Sequence, residues 1–234
     1  MGQNGRICTA IFVPLEAVAW SDSEIDKVLG ILAKKQGIET MLGKMGRKHD
    51  AFKVLISTIL SARAKDEITE VISEELFKKY PTAEKLAKAN KKDVIKIIRR
   101  IGFFNNKSKN VINAAKMLVS DFDSRVPKNL DDLVKLPGVG RKVANCVLVY
   151  AFGMDAIPVD THVHQIANRL GWVRTKTPEQ TEEKLMKLIP RKHWQIVNDT
   201  FVAHGKTICV PVSPFCSKCP IIKYCKRIGI VKSR

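Results

Sequence analysis

The chain has 234 residues, 45% of them hydrophobic, which is enough for one large or two modest domains with their own cores and too apolar for a disordered tail. Lys and Arg number 41 against 23 Asp and Glu, a formal charge of +18. Solubility alone asks a small domain for a net charge of about 2 to 8 in magnitude, so a polyanion is the first partner class, nucleic acid ahead of a membrane surface.

Residues 1–20 read as an N-terminal extension. Within them Ile11 to Leu15 is apolar, but Pro14 and Glu16 interrupt it, and it is far shorter than the roughly 20 residues of a membrane span. A basic n-region and a small-residue cleavage site are not both present, so no signal peptide and no membrane are expected and the chain reads as intracellular. Ser21-Asp22-Ser23-Glu24 is a capping box ahead of Ile25, Val28, Leu29 and Leu32, which recur at helical spacing until Gly37. From Asp66 the set Ile68, Val71, Ile72 and Leu76 repeats the pattern up to Tyr80-Pro81, and Gly102 to Asn106 reads as a loop. Thr177-Pro178-Glu179-Gln180 opens another helix with Pro at its first position. Alternating strand patterns are scarce, so the fold class is all-α, about ten short helices with no low-complexity linker.

The segment Leu136-Pro137-Gly138-Val139-Gly140-Arg141-Lys142 lies between a short helical stretch, Leu130 to Val134, and the apolar run Val143 to Tyr150. Two glycines in three residues permit positive φ and close backbone approach, and the helix start that follows leaves N–H groups without internal partners. Such a turn grips a phosphate backbone without reading sequence. Lys142 sits at the positive end of that helix beside Arg141, and both effects lower its pKa toward a free, nucleophilic amine. Asp160 opens the segment Asp160-Thr161-His162-Val163, where a carboxylate is ordinarily an N-cap. His162 and His164 face different ways on one helix and do not make a metal pair.

Cys209, Cys216, Cys219 and Cys225 give the spacing C-x6-C-x2-C-x5-C within 17 residues. In a reducing compartment such a group holds metal rather than disulfides, and four cysteine ligands suit zinc or a [4Fe-4S] cluster. Structural zinc sites usually carry two C-x2-C pairs, and only one is present. Cys8 and Cys146 are isolated, a tail thiol and a core residue; Trp172 and Trp194 read as core.

Leu136 to Lys142, followed by Val159-Asp160-Thr161-His162, together with Leu60-Ser61-Ala62 and Ile101-Gly102, resembles the endonuclease III family of helix-hairpin-helix DNA glycosylases, from about Ser23 to Cys225. The resemblance implies two α-helical domains with DNA in the cleft between them: residues 44–154 carrying the hairpin, and residues 21–43 with 155–234 carrying a [4Fe-4S] cluster on the four cysteines, whose spacing matches the family's. It implies a monomer that binds double-stranded DNA with damaged bases or abasic sites, removes oxidised or ring-saturated pyrimidines and cuts the strand by β-elimination. Lys142 would be the nucleophile, Asp160 the assisting carboxylate, Leu136, Gly138, Val139, Gly140 and Arg141 the backbone grip, and Arg63 and Phe103 the side chains pushed into the duplex. Three positions depart from the family's pattern. Arg63 stands where some members have Gln, Phe103 where some have Leu, and Val134 where an acidic residue often precedes the Leu-Pro. The first two bear on how the gap in the DNA is filled, the third on an auxiliary carboxylate. Two rivals share part of this pattern: a mismatch or adenine glycosylase of the same fold, which should lack Lys142, and a non-catalytic DNA-binding hairpin module.

Overall fold

The computed structural model describes residues 20–36 and 50–234, which are all-α, with no strand among them. They form two compact units, one containing residues 50–158 and the other residues 20–36 with 159–234. The second division falls at Pro158 and Val159; Cys8 and residues 1–19 lie outside the described residues. No helix among the described residues is long and apolar enough to cross a membrane.

In the unit holding residues 50–158, α2 (Ala51–Ser61) is the central helix, because Val54 through Leu60 are buried without a break and no polar face remains. It follows α1 (Asp22–Gln36) of the other unit in chain order and packs against α3 (Asp66–Lys79), α6 (Phe104–Asp121) and α8 (Arg141–Phe152). The short helices α4 (Ala83–Ala87), α5 (Lys91–Ile98) and α7 (Leu130–Leu133) complete the shell. Side chains fix the helix starts, Asp50, Thr82, Asn90 and Asn129 each accepting an N–H of the following turn. Two expectations change here. Val71 is 46% exposed, whereas Ile72 and Leu76 are buried and Ile68 packs on the core as read, and α3 also buries Thr69, Ser73 and Phe77, which the apolar pattern did not include. Gly102 to Asn106 is not a loop throughout: α6 begins at Phe104, which packs on the core, and Phe103 is its N-cap.

The other unit is built on α1, α9 (Thr161–Leu170), α10 (Pro178–Leu188) and α11 (Trp194–Thr207), with α11 packed on both α1 and α9. The capping box at its start is formed in full: Ser21 Oγ accepts from Glu24 N at 3.3 Å while Glu24 Oε2 accepts from Ser21 N at 3.0 Å. Trp20, assigned to the extension from sequence, packs edge-on against Trp172 with ring centroids 6.0 Å apart and donates to Gly171 O at 3.1 Å. Trp172 is buried in the core as expected, whereas Trp194 is half-buried, its indole N–H donating to Ile189 O at 2.8 Å. Cys146 is a buried core residue. α11 approaches α9 so closely that a Cβ on Gly205 would lie 2.4 Å from His162 Nδ1.

Candidate active site and thiol cavity

The hairpin is held from below by its own apolar residues. Leu136 and Val139 are buried in the core of their unit, and Val139 N donates back to Leu136 O at 3.0 Å. Their side chains and the Val139 N–H anchor the turn, and Gly138, Gly140 and Arg141 form its exposed surface. Gly138 has φ +83°, and a Cβ there would meet Asn110 of α6 at 2.8 Å from Nδ2 and 2.9 Å from Cβ, so both backbone conformation and space demand glycine. Gly140 is the N-cap of α8 and brings no side chain to its first turn, unlike the capped starts of the neighbouring helices. Lys142 stands half-exposed on that first turn. The result is a basic helix start whose dipole and main-chain donors suit an anion.

Arg63 and Phe103 meet in the same unit. Ala62 (φ −53°, ψ 117°) and Arg63 (φ 53°) turn the chain after α2, with Ala64 N donating to Ser61 O at 3.0 Å. This is the type II pattern, whose left-handed position ordinarily goes to Gly or Asn. Phe103 is likewise left-handed (φ 58°, ψ 28°) and 62% exposed, and the Arg63 guanidinium lies over its ring at 5.8 Å from the centroid. Two bulky residues in a conformation that costs each about 1–2 kcal/mol are thus paired at the surface. Below them Lys107, a residue the sequence did not single out, is buried and sends its amine to Leu60 O at 2.9 Å.

Asp160 belongs to the other unit, where it caps α9 as its position suggested. Both cap bonds, from His162 N and Val163 N at 2.9 Å, fall on Oδ1, which leaves Oδ2 outside the cap. His162 packs on Gly205 and His164 Nδ1 lies 2.6 Å from Thr181 Oγ1, so the two rings diverge as expected.

In this same unit Cys209, Cys216, Cys219 and Cys225 line one cavity, with Ile166, Leu170, Ile208, Phe215, Ile222 and His204 among the other walls. Burial pushes the Cys225 thiol up to about 11, with the neighbouring sulfurs adding to it, and burial also raises Cys209 against the opposing pull of Arg169. Arg169, at the end of α9, organises the first thiol: Nη1 reaches Cys209 Sγ at 3.4 Å, Cys209 O at 3.2 Å and Val210 O at 2.9 Å, and Nη2 reaches Pro211 O at 2.7 Å. The ring of His204 lies 3.7 Å from Cys219 Sγ. Neither residue was marked by the sequence beyond a cation in the last turn of its helix. Among the described residues, no group of three or more His, Cys, Asp or Glu is placed to hold a single metal ion.

The description "HhH-GPD superfamily base excision DNA repair protein" matches residues 56–191 of this chain. Endonuclease III of Thermotoga maritima is 46% identical over 180 residues, 77% of this chain and 84% of that protein. Endonuclease III of Bacillus subtilis is 36% identical over 176 residues, 75% of this chain and 80% of that protein. Among solved structures, a trapped endonuclease III–DNA covalent intermediate has a TM-score of 0.78 at 32% identity, covering 89% of this chain and 97% of that one. A thermostable thymine-DNA glycosylase has a TM-score of 0.77 at 25% identity, covering 88% and 97%.

Proposed function

The chain belongs to the HhH-GPD superfamily of base excision DNA repair proteins, and on that premise we propose its chemistry: it is a DNA glycosylase and abasic-site lyase acting as a monomer on double-stranded DNA. The observation that carries the reading is Lys142 on the first turn of α8, directly behind the glycine hairpin. The hairpin holds a phosphate through main-chain donors while the damaged nucleotide leaves the stack. The Lys142 amine attacks C1′ of the sugar as the C1′–N bond to the base breaks, and the departing base takes up a proton. Asp160, through the Oδ2 that its cap leaves over, accepts the proton lost by the lysine or steadies positive charge developing on the sugar. The sugar ring then opens, O4′ leaving C1′ and taking up a proton as the lysine nitrogen forms its double bond to C1′, and the resulting Schiff base acidifies C2′–H. Removal of that proton expels the 3′ phosphate and breaks the strand by β-elimination. Arg63 and Phe103 fill the space in the stack, Phe103 by stacking and Arg63 with a planar hydrogen-bonding group. Oxidised or ring-saturated pyrimidines are the proposed lesions.

The thiol cavity fits a [4Fe-4S] cluster held by Cys209, Cys216, Cys219 and Cys225. Four sulfurs share one largely apolar chamber, and burial keeps at least Cys225 a thiol until a cationic group draws the proton off. When bound, the cluster supplies folding energy and a fixed shape to the loop rather than a step in base removal. That loop presents Lys218, Lys223, Lys226 and Arg227 to phosphates.

A monofunctional mismatch glycosylase is the second reading, favoured by the likeness to the thymine-DNA glycosylase. Borohydride trapping on a panel of duplexes, each with one lesion, separates the two. A covalent adduct on duplexes with oxidised pyrimidines supports the lyase, and base release with no adduct on any duplex overturns it.

A further inference from the structure

Lys107 is 5% exposed, and burial holds its amine below the usual lysine range. One hydrogen bond to a carbonyl is a poor return for stripping water from an ammonium group, and a buried charge is often replaced by an apolar side chain of similar size without loss of stability. Stability alone therefore does not account for an amine at this position. Its acceptor does suggest a use. Leu60 O is one of the carbonyls at the end of α2 that have no partner within the helix, and it immediately precedes the turn that carries Arg63. Lys107 N in turn donates to Phe103 O at 2.9 Å, closing the first turn of α6. One residue thus joins the end of α2 to the start of α6, and the two left-handed residues beyond those ends, Arg63 and Phe103, stack on each other. Each of those conformations is costly for a non-glycine residue and persists only when the surrounding structure over-determines it.

We propose that Lys107 is a positioning residue, the internal tether that holds the Arg63 and Phe103 turns in the pose in which they enter the duplex. The proposal rests on the reading that these two side chains fill the gap left by an extruded nucleotide. Lys107→Met keeps the aliphatic stem and volume and removes only the amine. In the free, full-length protein, amide exchange in residues 61–64 and 101–104 should rise about tenfold, the size expected when a charge-assisted hydrogen bond is lost. Base excision from an intact duplex should fall by about the same factor, with 2-aminopurine fluorescence beside the lesion reporting reduced extrusion. Strand cutting at a preformed abasic site, which has no base to extrude, should stay near wild type, and Tm should hold within a few degrees. Val111→Ala, a cavity in the same helix that leaves the tether intact, should lower Tm without changing the ratio of the two activities.

Wild-type exchange and wild-type excision in Lys107→Met overturn the proposal, as does a fall in Tm with both activities lost in proportion, which makes Lys107 structural. The insertion reading is tested separately with Phe103→Ala: unchanged extrusion in that variant overturns the insertion itself, whereas impaired extrusion there with a wild-type Lys107→Met overturns only the tether.

Discussion

Gly138→Ala tests whether the hairpin's shape is what grips DNA. The alanine would have to adopt φ +83°, where an L-residue costs about 1–2 kcal/mol. Its Cβ would also lie 2.9 Å from Asn110 Cβ and 3.0 Å from Cγ. Asn110 Cβ is fixed by the backbone of α6 and cannot swing aside as the tip of a long side chain could, so overpacking adds about 1–3 kcal/mol. The sum, about 2–5 kcal/mol, corresponds to a Tm lower by about 10 °C in a chain of this size, read by calorimetry. Asn110→Gly in the same molecule should relieve the clash but not the backbone strain, so a double-mutant cycle should give a coupling of about 1–3 kcal/mol. If the turn yields by moving away from α6, the hairpin loses its phosphate. Affinity for undamaged and damaged duplexes should then fall together, and the slope of log K against log salt should shrink by about 1 for each phosphate lost. Gly138→Ala with wild-type Tm and an unchanged salt slope would refute both the packing argument and the hairpin's role.

Lys142→Gln should abolish borohydride trapping while affinity for damaged DNA changes little, because one charge among 41 basic residues alters the salt slope by at most about 1; trapping retained in this variant would place the nucleophile elsewhere. Asp160→Asn keeps an N-cap of equal quality, so Tm should hold while base release slows about a hundredfold or more; a Tm drop matching the loss of rate would reduce Asp160 to its cap. Protein purified anaerobically should be brown and contain about four iron atoms per chain, the stoichiometry of the cluster, and Cys216→Ala should lower both iron content and Tm more than it changes single-turnover chemistry. Stoichiometric zinc without iron would reject the cluster.

What the sequence disclosed was what short-range chemistry dictates. Ser21 with Glu24, Thr177 with Pro178, and Asp160 are caps whose partners lie within three residues, and each forms as read. The need for glycine at 138 was equally legible, since positive φ follows from the turn itself. Periodicity found α3 and placed Ile68, Ile72 and Leu76 inward but misassigned Val71, because Val71 and Phe77 are equally apolar and only the packing partner decides which turns inward. Leu136 and Val139 belong to the same motif, and their side chains, buried in the core, hold the turn from below. The residues missed altogether act at long range. Lys107 meets a carbonyl 47 positions away and Arg169 a thiol 40 positions away, and no local pattern distinguishes either from the other basic residues.

Those long-range contacts change how the motifs relate to one another. Lys107 and Asn110 are three apart on α6 and so share a face. Lys107 secures the turn carrying Arg63, and Asn110 bounds the hairpin at Gly138. Phe103, one turn earlier, is the cap of the same helix. Three features that sequence presents as separate motifs, Leu60 to Arg63, Ile101 to Phe103 and Leu136 to Gly140, therefore have one common reference element. On the proposed roles, a single helix sets the spacing between the hairpin and the Arg63 and Phe103 side chains, since an α-helix of 18 residues does not stretch under the forces of a few hydrogen bonds. Separation between gripping a strand and filling its stack is the quantity such an enzyme has to hold constant. On that reading, placing both functions against α6 accounts for the polar Lys107 and Asn110 beside the buried Val111, Ala114 and Leu118.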